Sequence, residues 1–289
     1  MEEEVDSNGE IENGENEEKE IKEYKLPEYL DNLNPDQRQI LLNLHIWDSR
    51  ERFLKKQRQA MRNFIASMKR NLLKRDLGFQ KIYMLEDQIK KIQKMIDEVE
   101  KEAALNLGSV PVWNYFLANI RGLGEATAAG IVSQIGTIGR FHSISALRKY
   151  SGWYPKDGKA VRKEANVKGN YSPKMKQYLF HFCEGIIKAE DPVYYAQYLL
   201  FKKQILEKHP EYEGRKATKK KRIEGIPAHI HKMAKRKTIQ IFLSDLYCIW
   251  RDLEGLPQTL PYIFAIGGHD IEHLRDALKN PHYKKPLEE

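Results

Sequence analysis

The chain has 289 residues, 41% of them apolar and 10% aromatic, which is enough to bury a core in one large or two modest domains. No run approaches the ~20 apolar residues of a membrane span, the leading residues are acidic, and two cysteines (Cys183 and Cys248) build neither a disulfide framework nor a four-thiolate zinc site; transmembrane and secreted classes are excluded and a reducing, cytoplasmic interior is expected. The net charge of +8 divides unevenly: residues 1–23 hold eleven Asp/Glu against two Lys, a charge of −9, and residues 24–289 carry +17.

A body that positive points to a polyanion, because Lys and Arg that neutralise phosphates release condensed counterions and give affinity for any sequence. Residues 1–23 have almost no apolar side chains to offset the entropy of ordering them, and are expected to form a disordered acidic tail. Asn34-Pro35-Asp36 opens the first helix, with Pro at its first position. Residues 34–105 are expected to be a helical hairpin or coiled-coil segment. Ile82, Leu85, Ile89, Ile92, Ile96, Val99 and Ala103 recur at alternating spacings of 3 and 4, a heptad seam on one stripe about 33 Å long. Such a stripe needs a partner helix. Either the upstream segment folds back across Asp76-Leu77-Gly78, presenting Leu54, Met61 and Met68, or a second copy pairs through Ile82 to Ala103 as a homodimer.

Asn106 to Pro111 breaks the helix and separates this segment from a domain expected over residues 111–255. Short helices punctuated by Gly follow to about residue 182, then helical patterns over Pro192 to Leu206 and Ala228 to Leu253, with an appendage over 256–289. Without runs of β-branched alternation flanked by helices, a doubly wound parallel sheet is not expected, and the fold class is mainly α.

The stretch from Phe116 to Val132 reads as two helices joined by a tight turn, Gly122-Leu123-Gly124. The glycines permit backbone conformations closed to other residues, and they leave no side chain between a ligand and the amides that open the next helix, near Thr127. This arrangement resembles the helix-hairpin-helix motif, which grips a nucleic-acid backbone without reading bases. Further anchors follow in order: Ile135-Gly136, Ile138, Arg140-Phe141, Ser143, Leu147, Tyr150, Gly152 and Pro155, then Lys168-Gly169-Asn170. Asp191-Pro192-x-Tyr194-Tyr195 comes next, and His231-Lys232-Met233-Ala234-x-Arg236-Lys237 leads to Asp252. Over about residues 113 to 255 this series resembles the C-terminal domain of the insertion sequence 110/116/902 transposases, also called Piv-like.

The resemblance implies a protein that recombines DNA, in some members guided by a structured RNA. It also implies a RuvC-like domain with four metal-binding carboxylates, a coiled-coil segment, and a nucleophilic serine. Here no buried strand ending in Asp precedes residue 105, and the residues from Lys156 to Lys168, where the family's serine lies, contain none. Ser151 and Ser172 are the nearest hydroxyls and stand as catalytic candidates, although neither matches the family's position. No cofactor is expected on this chain itself; Mg²⁺ enters only if a separate RuvC-like domain or subunit completes the site.

The residues expected to contact DNA are Gly122, Leu123, Gly124 and Thr127; then Lys156, Lys159, Arg162, Lys163 and Lys168; and then Arg215, Lys216, Lys219, Lys220, Lys221 and Arg222, six cations within eight residues. Trp153, Tyr154, Tyr171, Tyr178, Phe180 and Phe182 interleave with Lys and Arg as candidates to stack on unpaired bases, although the helical spacing of Tyr178 and Phe182 favours core packing for that pair. His269-Asp270-Ile271-Glu272-His273 has the order of an inverted zinc-peptidase motif but only sixteen residues follow it, so zinc chemistry is not expected there. The partner is expected to be DNA, with a structured guide RNA as a second possibility, in a nucleoid-associated protein that does not enter a membrane. The alternative is a non-enzymatic DNA- or RNA-binding module of chromosome architecture or regulation.

Overall fold

The computed structural model describes residues 33–72, 80–156, 159–160, 171–212, 227–257 and 277–286, and over these the protein is mainly α. The tail, the Asp76 to Gly78 turn, the basic loop from Arg215 to Arg222 and the His269 to His273 motif lie outside them. The first helix, α1, runs unbroken over Pro35–Leu72, and its first turn is capped as the sequence leads one to expect, with Gln37 N–H donating to Asn34 Oδ1 at 2.8 Å. The second, α2, spans Gln80–Leu107.

These two helices pack side by side and antiparallel. Asn43 meets Asn106, Arg50 meets Glu102, Arg58 meets Gln93 and Lys69 meets Glu86, so partners rise in number on one helix as they fall on the other. Of the seam, Ile82, Ile96, Val99 and Ala103 are buried and Leu85, Ile89 and Ile92 half-buried; Leu44, Trp47, Leu54 and Ile65 are buried on α1. The partner helix of the seam is therefore α1 of the same chain. The exposed ion pairs fix register and contribute at most about 1 kcal/mol each, whereas each buried Leu or Ile contributes about 1.5–3 kcal/mol, so the apolar seam dominates.

After a turn at residues 108–110 come α3 (Pro111–Tyr115), α4 (Glu125–Ile135), α5 (Ile144–Ser151), α6 (Pro173–Ala189), α7 (Tyr194–Lys208) and α8 (Pro227–Leu253). A two-residue antiparallel pair, β1 (Pro155–Lys156) with β2 (Lys159–Ala160), sits between α5 and α6. Ser143 and Ser172 start α5 and α6 by accepting from the amides of Ala146 and Met175. The core does not stop at the turn after α2: Leu44, Trp47, Ile96, Ala103 and Leu107 belong to the same buried cluster as Phe116, Ile131, Phe182 and Phe242. At its centre Phe182 and Phe242 stack at 3.9 Å, with Tyr194 edge-on to both at 5.7 and 5.6 Å. A second, smaller cluster of Tyr198, Ile205, Tyr212, Ile230 and Ala234 joins α7 to α8.

Two close approaches set how α4 and the turn before it lie on α6. A methyl added at Gly130 would overlap the Tyr178 ring, and one added at Gly122 would overlap the Gly185 carbonyl. This explains a difference from the sequence pattern, which breaks at about residue 182: α6 continues through Gly185 to Ala189, and that glycine is the point where the preceding turn docks.

Candidate nucleic-acid interface

The segment before the Gly-Leu-Gly turn is not one continuous helix. Phe116, at φ −139° and ψ −65°, ends α3, and Leu117–Asn119 forms a 3₁₀ turn that leads into it. Gly122 takes φ +90°, open to few residues other than glycine, while Leu123 is buried and anchors the turn. Gly124 is different. Its φ of −74° suits any residue and the space where its Cβ would stand is open, so nothing inside the fold requires a glycine there. The effect is to leave the first turn of α4 bare. Thr127 and Ala128 return their amides to the Gly124 carbonyl, both at 3.0 Å, and the amides at the very start of a helix have no partner within it. Exposed Glu125 supplies the only acidic side chain of that first turn.

Asp191 holds the turn from behind. Its carboxylate is fully buried and accepts from the Arg121 amide at 3.0 Å, from the amides of Val193 and Tyr194 at 3.0 and 2.8 Å, and from His282 Nε2. Burial alone would push its pKa up; the bond from His282 and the amides that open α7 outweigh burial and hold it below the ordinary carboxylate value. One side chain thus ties together the turn, the start of α7 and the segment around His282. An Asp-Pro pair just ahead of a helix signals a cap in sequence, but not the bonds to Arg121 and His282.

A second feature lies on the α5–α6 side. Gly152 ends α5 in the left-handed region, with the Tyr171 ring 2.6 Å from where its Cβ would be. Trp153 and Tyr154 follow immediately and form one wall of a cavity of about 240 Å³. Trp153 is fixed by its indole N–H to the Lys176 carbonyl at 3.3 Å and by Gln240, which donates to the Trp153 carbonyl at 2.9 Å. Lys176 and Phe180 of α6 and Lys232, Lys235 and Arg236 of α8 complete its lining. The Lys176 ammonium stands 4.7 Å from the Tyr171 ring centroid and 5.8 Å from that of Trp153. Lys235 is buried, lies over the Phe180 ring at 3.9 Å, and is ion-paired with Glu184. Burial, reinforced for Lys176 by the charge of Arg236, lowers the pKa of Lys176, and burial lowers that of Arg236.

Of the residues expected to contact DNA, Gly122, Leu123, Gly124 and Thr127 are brought together at the turn. Lys156 and Lys159 sit in the β1–β2 pair, whose strand β1 begins directly after Tyr154, so their backbone leaves from the rim of the cavity. Arg162, Lys163, Lys168 and the six cations of 215–222 lie outside the described residues. The cavity is far from the turn: Gly185, where the turn docks, is nine residues along α6 from Lys176, about 14 Å. Tyr178 and Phe182 are core residues, whereas Phe180 is exposed.

The two serines are held in structural bonds. Ser151 is fully buried and donates to the Arg148 carbonyl at 2.8 Å; Ser172 donates to Gln134 at 2.9 Å while capping α6. The buried carboxylates are likewise engaged: Asp48 by Arg52, Lys174, Tyr178 and Gln134, and Asp245 by Tyr194 and Asn280. Among the described residues no group of three or more His, Cys, Asp or Glu is placed to hold a metal ion, and no helix is long and apolar enough to cross a membrane.

No curated protein matches the chain. A family model does match over residues 114–198, a span that contains the turn, Asp191 and the cavity residues Trp153, Lys176 and Phe180; the family is the transposase IS116/IS110/IS902 family.

Proposed function

We propose that this protein is a DNA-binding member of the transposase machinery, acting in DNA transposition or recombination, with its backbone grip at the Gly122 to Gly124 turn in the manner of a helix-hairpin-helix. The observation that carries the reading is the coincidence within residues 114–198 of a transposase-family match and a glycine-bared helix start held by Asp191, in a body of charge +17. The basic residues between Lys156 and Lys168 and between Arg215 and Arg222 add further bonds to phosphate. The buried carboxylates Asp48, Asp191 and Asp245 are spent on structural bonds, so this chain is not expected to bind a cofactor itself; a separate RuvC-like domain or subunit, if it completes the site, would supply the carboxylates and hold Mg²⁺ there. A structured guide RNA and nucleoid association belong to the same reading.

Fluorescence anisotropy against salt tests it. Both duplex and single-stranded oligonucleotides bind at modest ionic strength, and neutralising the six cations of 215–222 flattens the plot of log affinity against log salt by about 0.9 for each duplex phosphate that no longer meets a cation. Absence of binding to either oligonucleotide overturns the proposal. The structural bonds of Ser151 and Ser172 favour one alternative, a non-enzymatic DNA- or RNA-binding module of chromosome architecture or regulation. A strand-transfer assay with Mg²⁺ and a supercoiled donor plasmid separates the two: joined products made by the purified protein exclude the module.

A further inference from the structure

The cavity walled by Trp153 and α8 has a composition that a duplex-gripping surface does not need. Among the described residues its lining combines three aromatic side chains, Trp153, Tyr154 and Phe180, with four cations, Lys176, Lys232, Lys235 and Arg236, and no carboxylate. Of these cations, Lys235 is ion-paired with Glu184. Lys232 and Arg236 are one helical turn apart on α8, and Lys176 faces them from α6, so like charges are gathered where each raises the cost of the others. A cationic or neutral ligand leaves that repulsion in place, whereas an anion relieves it.

At about 240 Å³ the cavity is smaller than the ~300–1,000 Å³ of drug-sized pockets, the scale of a single nucleotide. The base faces of a paired duplex are stacked on one another and cannot reach an aromatic wall, while an unpaired base offers its face to any ring. The wall is also rigid. Trp153 is clamped through both its indole N–H and its carbonyl, so stacking on it costs little side-chain entropy.

We infer that this cavity takes one unpaired nucleotide of a DNA strand, its base stacked on Trp153 and Phe180 and its phosphate on Lys232 and Arg236. It deepens the DNA-binding reading and rests on it. The turn grips backbone on any strand, and the cavity distinguishes melted or flapped DNA from intact duplex.

The test uses the full chain and three probes: a duplex, the same duplex carrying one extrahelical 2-aminopurine, and free deoxynucleoside monophosphate. Wild-type protein binds the bulged probe about tenfold more tightly than the intact duplex, and 2-aminopurine fluorescence falls on binding. Phe180→Ala, at an exposed position that the fold tolerates, abolishes most of that preference and of the quenching while leaving duplex affinity and its salt slope unchanged; Trp153→Ala does the same, and Trp153→Phe restores it. Equal affinity for bulged and intact probes, or a Phe180→Ala protein that keeps the full preference, overturns the inference while duplex binding keeps the broader reading alive. Loss of binding to every probe condemns both. Monophosphate binding as tight as that of the bulged probe also counts against it, because the cavity then serves a free nucleotide rather than a strand.

Discussion

Asp48 lies on the long first helix, fully buried, and a carboxylate there is tolerable only because the surrounding donors stabilise its charge. Burial pushes its pKa up, but the Tyr178 hydroxyl, the Arg52 guanidinium at 2.7 Å and the Lys174 ammonium at 3.0 Å outweigh burial, so the group ionises below the ordinary carboxylate value. The sign for stability follows. A carboxyl whose folded pKa is depressed stabilises the fold fully above its unfolded value, about 4, and that contribution is lost as pH falls through the lower folded value. Melting temperature should therefore drop as the solution is acidified below pH ~4, with Asp191, depressed by His282 and the α7 amides, adding to the same slope. Asp48→Asn should lower stability at neutral pH by about 2 kcal/mol, less than a fully buried pair because Arg52 and Lys174 reach solvent, and should make the acid slope shallower. Thermal melts of both proteins across pH check this; an unchanged slope would mean that Asp48 is not the group being titrated.

The helical hairpin shows at the scale of elements how packing and charge divide their roles. Leu54→Ala removes a buried side chain facing α2 and should cost about 2–4 kcal/mol, whereas Arg50→Ala removes an exposed partner of Glu102 and should cost less than about 1 kcal/mol. Urea titrations that ranked them the other way would show the hairpin to be held by its ion pairs. The α2 seam is legible in the sequence because nothing interrupts its 3-and-4 spacing. The matching stripe on α1 is blurred, since Asp48 and Glu51 share its buried side and charged residues at helical spacing look like a solvated face. The role of Gly185 is not legible for a related reason: only the three-dimensional approach of Gly122 reveals it as a docking point inside α6. The turn can be read because its chemistry is local. The cavity cannot, because Trp153 and Arg236 stand more than eighty residues apart and their meeting is a property of how α8 crosses α6. Asp191 is legible in the sequence as an anchor of the family resemblance, and its hold on the Arg121 amide is not.

Taken as a whole molecule, the chain carries opposite charges on different segments, −9 over residues 1–23 and +17 over the remainder. Two polyelectrolytes on one chain face each other at an effective concentration set by the connecting length rather than by the bulk, commonly in the millimolar range. On the DNA-binding reading, the acidic leader is expected to compete with DNA for the same cations, within one molecule. Because these charges are solvated, their attraction fades once the Debye length shrinks toward about 8 Å at physiological ionic strength. Protein lacking residues 1–23 should thus bind a duplex severalfold more tightly than the full chain at low salt, converge with it as salt rises, and show a steeper dependence of log affinity on log salt, since more counterions are released per complex when no carboxylates already occupy the basic surface. Mixing basic residues into the leader to bring its charge to zero, at unchanged length, should reproduce the effect of deletion. If deletion tightens binding equally at every salt concentration, the leader acts by bulk and not by charge, and if it changes nothing at low salt the two halves of the charge distribution do not meet.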